Sequence, residues 1–192
     1  MNKILLDKES IINLVIVEDS ICEINRNDIN EINIEIKDNI KFRIIHKCKN
    51  STTNNLKINI KQNNNSEFIY NHNFINNNIY NLDINIELKG NNSKNKIYIN
   101  GISDMGKSNI TLNGKVNDNT KDNELLEKVN LLNINEGKSV VLPNMFINTK
   151  NVIADHAVSI TNINEDYLFY LNSKGIDNDN AKKLIIDGFL NK

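Results

Sequence analysis

The sequence predicts a mainly β fold built from many short strands and followed by two short helices. Three observations predict it: apolar and polar residues alternate strictly over much of the chain, the links are short and polar, and no helix-period segment occurs before about residue 120. Alternation with a period of two places the Ile and Leu side chains on one face of a pleated strand, which β-branched Ile suits well. A sandwich, a barrel and a β-solenoid all fit this pattern.

Up to about Asn117 the chain repeats strand and polar link. Its opening, MNKILLDKESIINLVIV, holds a short apolar run interrupted by charges and is interpreted as the first strands. The links are rich in Asn, Asp, Ser and Gly, which punctuate strands. Because Asn-Gly pairs of the hairpin type occur only at 100–101 and 113–114, the pattern favours a solenoid. The clearest strands in this region are Ile32–Ile36, Leu56–Ile60, Leu82–Leu88, Ile97–Ile99 and Ile110–Leu112.

The chain beyond about Asn117 is less regular. Residues 121–128 (KDNELLEK) lose the alternation, which predicts one helical turn or a loop. Pro143, the single proline, lies between two of the strand-like segments that follow, where its missing N–H does least harm. Those segments are 129–132, 140–142, 145–147, 152–153 and 158–160.

Two helices are predicted at the end of the chain. Asn164 is suited to cap a helix over Glu165–Lys174, and Gly175 follows at the usual stop position. Asp177 is suited to cap a second helix. The apolar residues of the second helix fall on one stripe at helical spacing, formed by Ala181, Leu184, Ile185 and Phe189.

Composition and charge exclude several classes of function. The chain has 192 residues, which makes one domain the default, and a net charge of −1 with no concentrated basic face for nucleic acid. No apolar run approaches the ~18 residues of a membrane span and no leader-cleavage site follows the start, which predicts a cytoplasmic protein. Arg occurs only at 26 and 43, and this compositional bias assigns the Asn runs to mutational drift at exposed positions.

Few residues are arranged for chemistry. Cys22 and Cys48 are too few for a disulfide framework and too widely spaced for zinc or ferredoxin ligand pairs, so both are predicted to be half-buried thiols. Gly106-Lys107-Ser108 lacks the preceding glycine that a phosphate-binding loop requires. No nucleophile–base set is indicated, and the chain is predicted not to be an enzyme.

The last fifty residues carry the most specific pattern of the chain. A proline-containing strand is followed by a strand with a single histidine, an acidic pair before Leu-Phe-Tyr, a Gly stop, and Ala … Leu-Ile … Gly-Phe. In this order and spacing the chain resembles the C-terminal end of the SufB/SufD family, with Lys174 where that family usually has Arg. The residues that carry the resemblance are Leu142–Met145, Asn151–Ala157, Ile163–Ile176 and Ala181–Leu190.

The resemblance implies both a fold and a set of partners. It implies a right-handed parallel β-helix over residues 1–162 and a helical segment over 163–192 that docks on the ATPase SufC. It also implies that the edge strands pair with a second SufB/SufD-type subunit, in a homodimer or a heterodimer. The cofactor implied is a transient iron–sulfur cluster at the subunit interface.

The resemblance also assigns candidate cluster ligands. His156 falls on the histidine position that SufB and SufD share, and imidazole is a suitable ligand for iron. The family's cysteine two residues before the histidine is Ala154 here, its glutamate after the histidine is Ala157, and its cysteine on the preceding strand aligns near Lys128. Three alternatives follow: Asp155 substitutes as a ligand, the partner supplies the ligands, or this copy binds no cluster. The pattern fits a SufD-like role better than a SufB-like one.

Two further histidines and a cysteine lie in the first half. His46 and Cys48 share strand parity with Phe42 and Ile44, which predicts that they face the same side. Cys48 is a candidate for sulfur relay or cluster binding, although inward-facing burial would oppose its reactivity. His72 lies in an Asn-rich segment and is predicted to be a solvated turn residue.

The first terminal helix is rich in aromatic residues. These residues form either a small core against the second helix or an anchor for the ATPase, because aromatic anchors dominate interface energy. The candidate partner-binding residues are Tyr167, Leu168, Phe169, Tyr170, Leu171, Leu184 and Phe189.

The sequence therefore predicts a subunit of a SUF-type iron–sulfur cluster assembly scaffold that works with SufC. The first alternative is a β-helical adaptor that holds and couples SufC without binding a cluster. The second is a carbohydrate-active β-solenoid enzyme, which would need clustered carboxylates on inward-facing or groove positions. The acidic residues here are mostly in links or on alternate outward positions, which disfavours that alternative.

Overall fold

A computed structural model describes residues 1–6 and 8–190, and the chain forms a parallel β-solenoid. We use "rung" for one complete coil, which contributes one strand to each of two sheets. Within the described residues, the odd-numbered strands form a seven-stranded sheet in the order β1-β3-β5-β7-β9-β11-β13 and the even-numbered strands a six-stranded sheet in the order β12-β10-β8-β6-β4-β2. The mainly β prediction is confirmed, and the solenoid is the correct choice among the all-β alternatives.

The elements are β1 (Asn2–Ile4), β2 (Ile11–Ile16), β3 (Ser20–Ile24), β4 (Glu31–Ile36), β5 (Lys41–Asn50), β6 (Asn54–Gln62), β7 (Glu67–Asn76), β8 (Ile79–Leu88), β9 (Lys94–Asp104), β10 (Lys107–Val116), β11 (Asn123–Ile134), β12 (Lys138–Ile147), β13 (Val152–Asn162), α1 (Glu165–Ser173) and α2 (Asn178–Leu190). Each strand pairs in parallel with the strand two places further along the chain. The chain therefore passes from one sheet to the other and back in every rung.

The core is a set of columns that run along the solenoid axis. Ile32 is in register with Ile58, Ile58 with Ile84, and Ile84 with Leu112. All four side chains are fully buried. Burying a side chain of this size contributes about 1.5–3 kcal/mol. The period-two alternation supplies one such inward residue at every second position, so that these segments form strands around an apolar interior.

One corner of the solenoid is built from left-handed residues. Asn39, Asn65, Asn92 and Asp122 have φ values of 64°, 52°, 54° and 59°. They occupy equivalent corners of successive rungs, and the backbone N–H of Asn39 donates to the carbonyl of Asn64 on the next rung at 2.9 Å. Asn and Asp tolerate this conformation better than other non-glycine residues. The Asn-rich links therefore turn the chain at these corners.

A second group of asparagines forms a ladder on the outer face of the six-stranded sheet. Each side-chain amide donates to the amide oxygen one rung earlier, over N···O distances of 2.8–3.1 Å. Such ladders satisfy polar groups in stacked strands. Mutational drift is therefore the wrong interpretation for this column. Its members are Asn13, Asn33, Asn59, Asn85, Asn113 and Asn144.

The structure corrects three local predictions. Residues 123–128 belong to β11 and form neither a helical turn nor a loop. The alternation is hidden in the sequence because polar Glu127 occupies an inward position and apolar Leu126 an outer one. Pro143 lies within β12 and not between two strands; β12 is the edge of its sheet, where proline is tolerated. The Asn-Gly pair at 100–101 lies inside β9 and not in a hairpin turn. A side chain on Gly101 would overlap the Phe74 ring.

The terminal helices form as predicted. The Asn164 side chain accepts the backbone N–H of Asp166 at 2.8 Å, and Asp177 accepts that of Asn180 at 2.9 Å. The hairpin lies against the seven-stranded sheet, where the Asn73 amide donates to the Leu190 carbonyl at 2.7 Å. Residues 191 and 192 of the predicted helical segment are outside the described residues. Neither of the described helices has the length and apolar character needed to cross a membrane.

Candidate functional site

Within the part of the chain that the structure describes, two places hold side chains suited to metal or sulfur chemistry. The first is an interior cluster on β5, β7 and β8, formed by His46, Cys48, Tyr70, His72 and Tyr80. His46 and His72 are register partners on neighbouring strands, and their ring centroids are 4.3 Å apart. Both rings are fully buried, as are both phenols. The prediction that His72 is a solvated turn residue is therefore wrong.

Hydrogen bonds fix the tautomers of both histidines. His46 Nε2 lies 3.1 Å from the Arg26 carbonyl, and His46 Nδ1 lies 2.8 Å from the Tyr70 hydroxyl. A carbonyl oxygen only accepts, so Nε2 carries the proton and Nδ1 accepts from the phenol. In His72, Nδ1 donates to the His46 carbonyl at 3.2 Å, and Nε2 accepts from the Tyr80 hydroxyl at 2.9 Å. Each imidazole therefore points its lone pair at a phenol.

Burial keeps this cluster uncharged. It lowers the pKa of His46 to about 4, and it lowers that of His72 well below the usual value, with the neighbouring His46 adding to the effect. Burial also raises the pKa of Cys48 to about 12 and holds the pKa values of Tyr70 and Tyr80 well above their usual range. Cys48 is therefore a thiol and not a thiolate, which makes it a weak nucleophile as it stands.

The two cysteines differ in access. Cys48 faces inward, as its parity with Phe42 and Ile44 predicted, and packs against the core while remaining half-buried. It lines a groove of about 410 Å³ that Asn73 and Asp187 also line. Cys22 is completely buried and not half-buried, and burial raises its pKa to about 11. Only Cys48 of the two therefore reaches a surface.

The second place is the open end of the solenoid, where β12 and β13 are the last strands of their sheets. His156 lies in the middle of β13 and is exposed. It is in register with Glu127 of β11, so both side chains point toward the solenoid interior. Asp155 and Ala157 are in register with Leu126 and Lys128 and point to the outer face. The structure thus pairs His156 with a carboxylate that the sequence did not indicate.

Glu127 is unusual among the buried groups. Its side chain is 2 % exposed, and within the described residues neither carboxylate oxygen has a hydrogen-bond partner. Burial raises its pKa to about 7. Gly114 faces it across the interior, where an added Cβ would lie 3.2 Å from Glu127 Oε1. The only sequence signal for this residue was the loss of alternation in KDNELLEK.

The interior cluster and the open end are separate sites. Cys48 lies on β5 and His156 on β13, four strands apart in the same sheet. At about 4.8 Å per strand this separation is roughly 19 Å or more. Cys48 and His156 therefore cannot bind one cluster within a single chain.

The helical hairpin presents two kinds of apolar residue. Tyr167, Phe169, Tyr170 and Leu184 are 64 %, 77 %, 59 % and 53 % exposed. Leu168, Leu171 and Phe189 are half-buried. The candidate partner-binding residues therefore divide into an exposed set and a set that packs within the hairpin or against the sheet. We call the four exposed residues the aromatic patch.

Comparison with known proteins identifies similar sequences. The family described as "SUF system FeS cluster assembly, SufBD core domain" matches residues 1–189. An iron–sulfur cluster assembly SufBD family protein, ycf24, of Galdieria sulphuraria is 33 % identical over 103 residues. That match covers 52 % of this chain and 46 % of the relative, so it spans less than half of that protein's length.

Proposed function

This chain belongs to the SufBD core domain family, and from that premise we propose that it is a scaffold subunit on which iron–sulfur clusters are assembled with the ATPase SufC. The cluster is the cargo of this reaction and not a resident cofactor. The chain itself catalyses no reaction in this proposal, and ATP hydrolysis belongs to SufC.

The observation that carries the proposal is the pairing of His156 with Glu127 at the open end. Imidazole and carboxylate are both ligands that iron accepts. An unpartnered carboxylate in the interior destabilises a fold, and strongly shifted groups of this kind concentrate at functional sites. Glu127 therefore supplies an acidic ligand from the preceding rung, in place of the family carboxylate that is Ala157 here. Asp155 points to the outer face and is the weaker candidate.

A second subunit completes the site in this proposal. The free edges of β12 and β13 leave backbone N–H and C=O groups that a neighbouring strand can pair with. Val158 and Ile160, which are 40 % and 44 % exposed, share the inward parity of His156. Covering this end with a second SufB/SufD-type subunit buries them and brings further ligands to His156.

Cluster assembly is tested by anaerobic reconstitution of the purified chain with iron and sulfide, with and without SufC. We expect a visible-absorbing cluster on the wild type and at least about 10-fold weaker iron retention in His156→Ala and Glu127→Gln, because even the loss of an outer partner of a metal ligand costs about 10- to 100-fold. Iron content and visible absorbance are the measurements. Thr161→Ala, an exposed change on the outer face of the same strand, is the control and should retain the cluster.

The rival adaptor function has its own support, since Ala154, Ala157 and Lys128 stand where the family places ligands. Wild-type protein that is dimeric, binds SufC tightly and still takes up no iron would favour the adaptor and contradict the scaffold. Cluster loss in His156→Ala with an intact SufC complex would contradict the adaptor.

Docking of SufC is assigned to the aromatic patch. Exposed aromatic anchors in an interface each contribute about 2 kcal/mol or more, which corresponds to about 30-fold in affinity. Phe169→Ala and Tyr170→Ala should therefore each weaken SufC binding by roughly that factor, measured by calorimetry, without changing the melting temperature. Met105→Ala removes an equally exposed apolar side chain from a turn and should leave binding unchanged. Equal affinities for all three variants would move the docking surface elsewhere.

A further inference from the structure

The interior cluster contains a group of metal-ligating side chains that cluster assembly at the open end does not use. His46, Cys48 and His72 each offer one ligand atom, and these atoms all lie within 4.8 Å of one another. We propose that these three residues form a binding site for one divalent transition-metal ion of the zinc type inside the solenoid. The proposal does not depend on cluster assembly, because it involves neither His156 nor Glu127.

The fold brings the three ligands together by register. His46 and Cys48 are two residues apart on β5, so both face inward, and His72 of β7 is the register partner of His46. Zn–N bonds are about 2.0–2.1 Å and Zn–S bonds about 2.3 Å, so nitrogen and sulfur on one ion lie at most about 4.4 Å apart. Side-chain torsions need to draw the ligand atoms together by roughly 1 Å to reach tetrahedral geometry.

The outer contacts of the histidines are those of metal ligands. In metal sites, a ligating imidazole usually donates its second ring N–H to a carboxylate, a carbonyl or water, which fixes the tautomer. His46 donates in this way to the Arg26 carbonyl, and His72 to the His46 carbonyl. The remaining lone pairs now accept from Tyr70 and Tyr80. Metal binding replaces these two phenol contacts and leaves the carbonyl contacts in place.

Ligand chemistry selects the class of ion. Two neutral imidazoles with one thiolate suit zinc and similar ions, whereas magnesium and calcium prefer oxygen ligands. Cys48 releases its thiol proton to solvent as the sulfur–metal bond forms. Three protein ligands leave one coordination position open, as in zinc sites that hold water or another small ligand.

The ion has a route to the site. Cys48 is half-buried and lines the groove of about 410 Å³ beside Asn73 and Asp187. The two histidines lie behind it, completely buried. The thiol is therefore the first ligand that an incoming ion meets.

The experiment titrates the metal-free full chain with Co²⁺, which reports its ligands by absorbance, and then with Zn²⁺ as competitor. We expect one Co²⁺ per chain, a near-ultraviolet sulfur-to-cobalt band, visible bands of tetrahedral intensity, and displacement by Zn²⁺. Saturating Zn²⁺ should raise the melting temperature by roughly 5–10 °C. Cys48→Ser should abolish the sulfur-to-cobalt band and weaken binding about 10-fold or more.

Matched variants keep the result interpretable. Cys22→Ser removes the second cysteine of the chain, which is completely buried, and should retain the full spectrum. His156→Ala and Glu127→Gln should also retain it, which separates this site from the open end. The proposal is overturned by Co²⁺ spectra without a sulfur band in the wild type, or by a spectrum that survives in Cys48→Ser. Either result would make the cluster a hydrogen-bonded polar core only, and would leave the scaffold function untouched.

Discussion

Replacing Glu127 with Gln should stabilise the protein by about 3 kcal/mol at pH 8 and by little at pH 4.5. Burial holds the pKa of Glu127 at about 7 in the folded chain, compared with 4.5 for a free glutamate. Each pKa unit corresponds to about 1.4 kcal/mol. The folded state therefore binds the proton more tightly, and stability is lost as the pH rises from 4.5 through 7. Gln is neutral over this whole pH range, so the Glu127→Gln variant does not lose stability in this way. Urea unfolding at several pH values measures the difference.

Glu124→Gln provides the matched control for this prediction. Glu124 lies on the same strand but on the outer face, where Lys94 and Lys96 approach its carboxylate to 3.8 and 3.5 Å. Removing such surface ion pairs changes stability by less than about 1 kcal/mol. A Glu127→Gln variant that is less stable than wild type at pH 8 would show that the carboxylate has a structural partner. A variant that is more stable but retains less iron would identify Glu127 as a ligand kept at the expense of stability.

Acidification from pH 7.5 to 4 should destabilise the Glu127→Gln protein by at least about 3 kcal/mol through the two core histidines. Burial lowers the pKa of His46 from 6.5 to about 4 and that of His72 well below 6.5. The unfolded chain therefore binds protons at these histidines more tightly than the folded chain does. The free energy of unfolding falls as the pH falls from 6.5 through 4. The Glu127→Gln background is needed because protonation of Glu127 stabilises the wild type over much of the same range.

Two variants of the interior cluster test whether the histidines cause this slope of stability against pH. His46→Leu removes one titrating ring. The variant should be less stable than its parent at pH 7.5, but its free energy of unfolding should fall less on acidification. Tyr70→Phe removes the hydroxyl that donates to His46 Nδ1, at a loss of about 1 kcal/mol, and should retain the full slope because both rings remain. Parallel pH curves for the two variants would assign the acid sensitivity to other groups.

The sequence predicted those parts of the fold that depend on local pattern. Strict Ile alternation identified strands such as β4 and β8, and the Asn164 and Asp177 caps identified both helices. The pattern failed where polar residues face inward. His72 lies between outward Asn71 and Asn73, so the segment resembles a polar link, although buried Tyr70 and Phe74 flank it at strand spacing. Polar residues whose hydrogen bonds are made inside the solenoid cannot be distinguished from exposed polar residues by sequence pattern.

The candidate sites depend on register, which no local pattern encodes. The family resemblance indicates His156, but its pairing with Glu127 follows only from the register of β11 and β13. The same holds for the close approach of the His46 and His72 rings and for the asparagine ladder, whose members lie on different rungs. Mutational drift can account for a single asparagine but not for a column whose members hydrogen-bond from rung to rung.

The rung register also sets how such a chain changes length during evolution. Asn54 is in register with Tyr80, and Tyr80 with Ser108, so equivalent positions recur at intervals of one complete coil. Inserting a single residue within a strand would turn its inward side chains outward. Duplicating or deleting a whole coil would leave every remaining column continuous, because each coil contacts only its neighbours. Homologues with this architecture should therefore differ in length by whole coils, with their gaps falling at the corners.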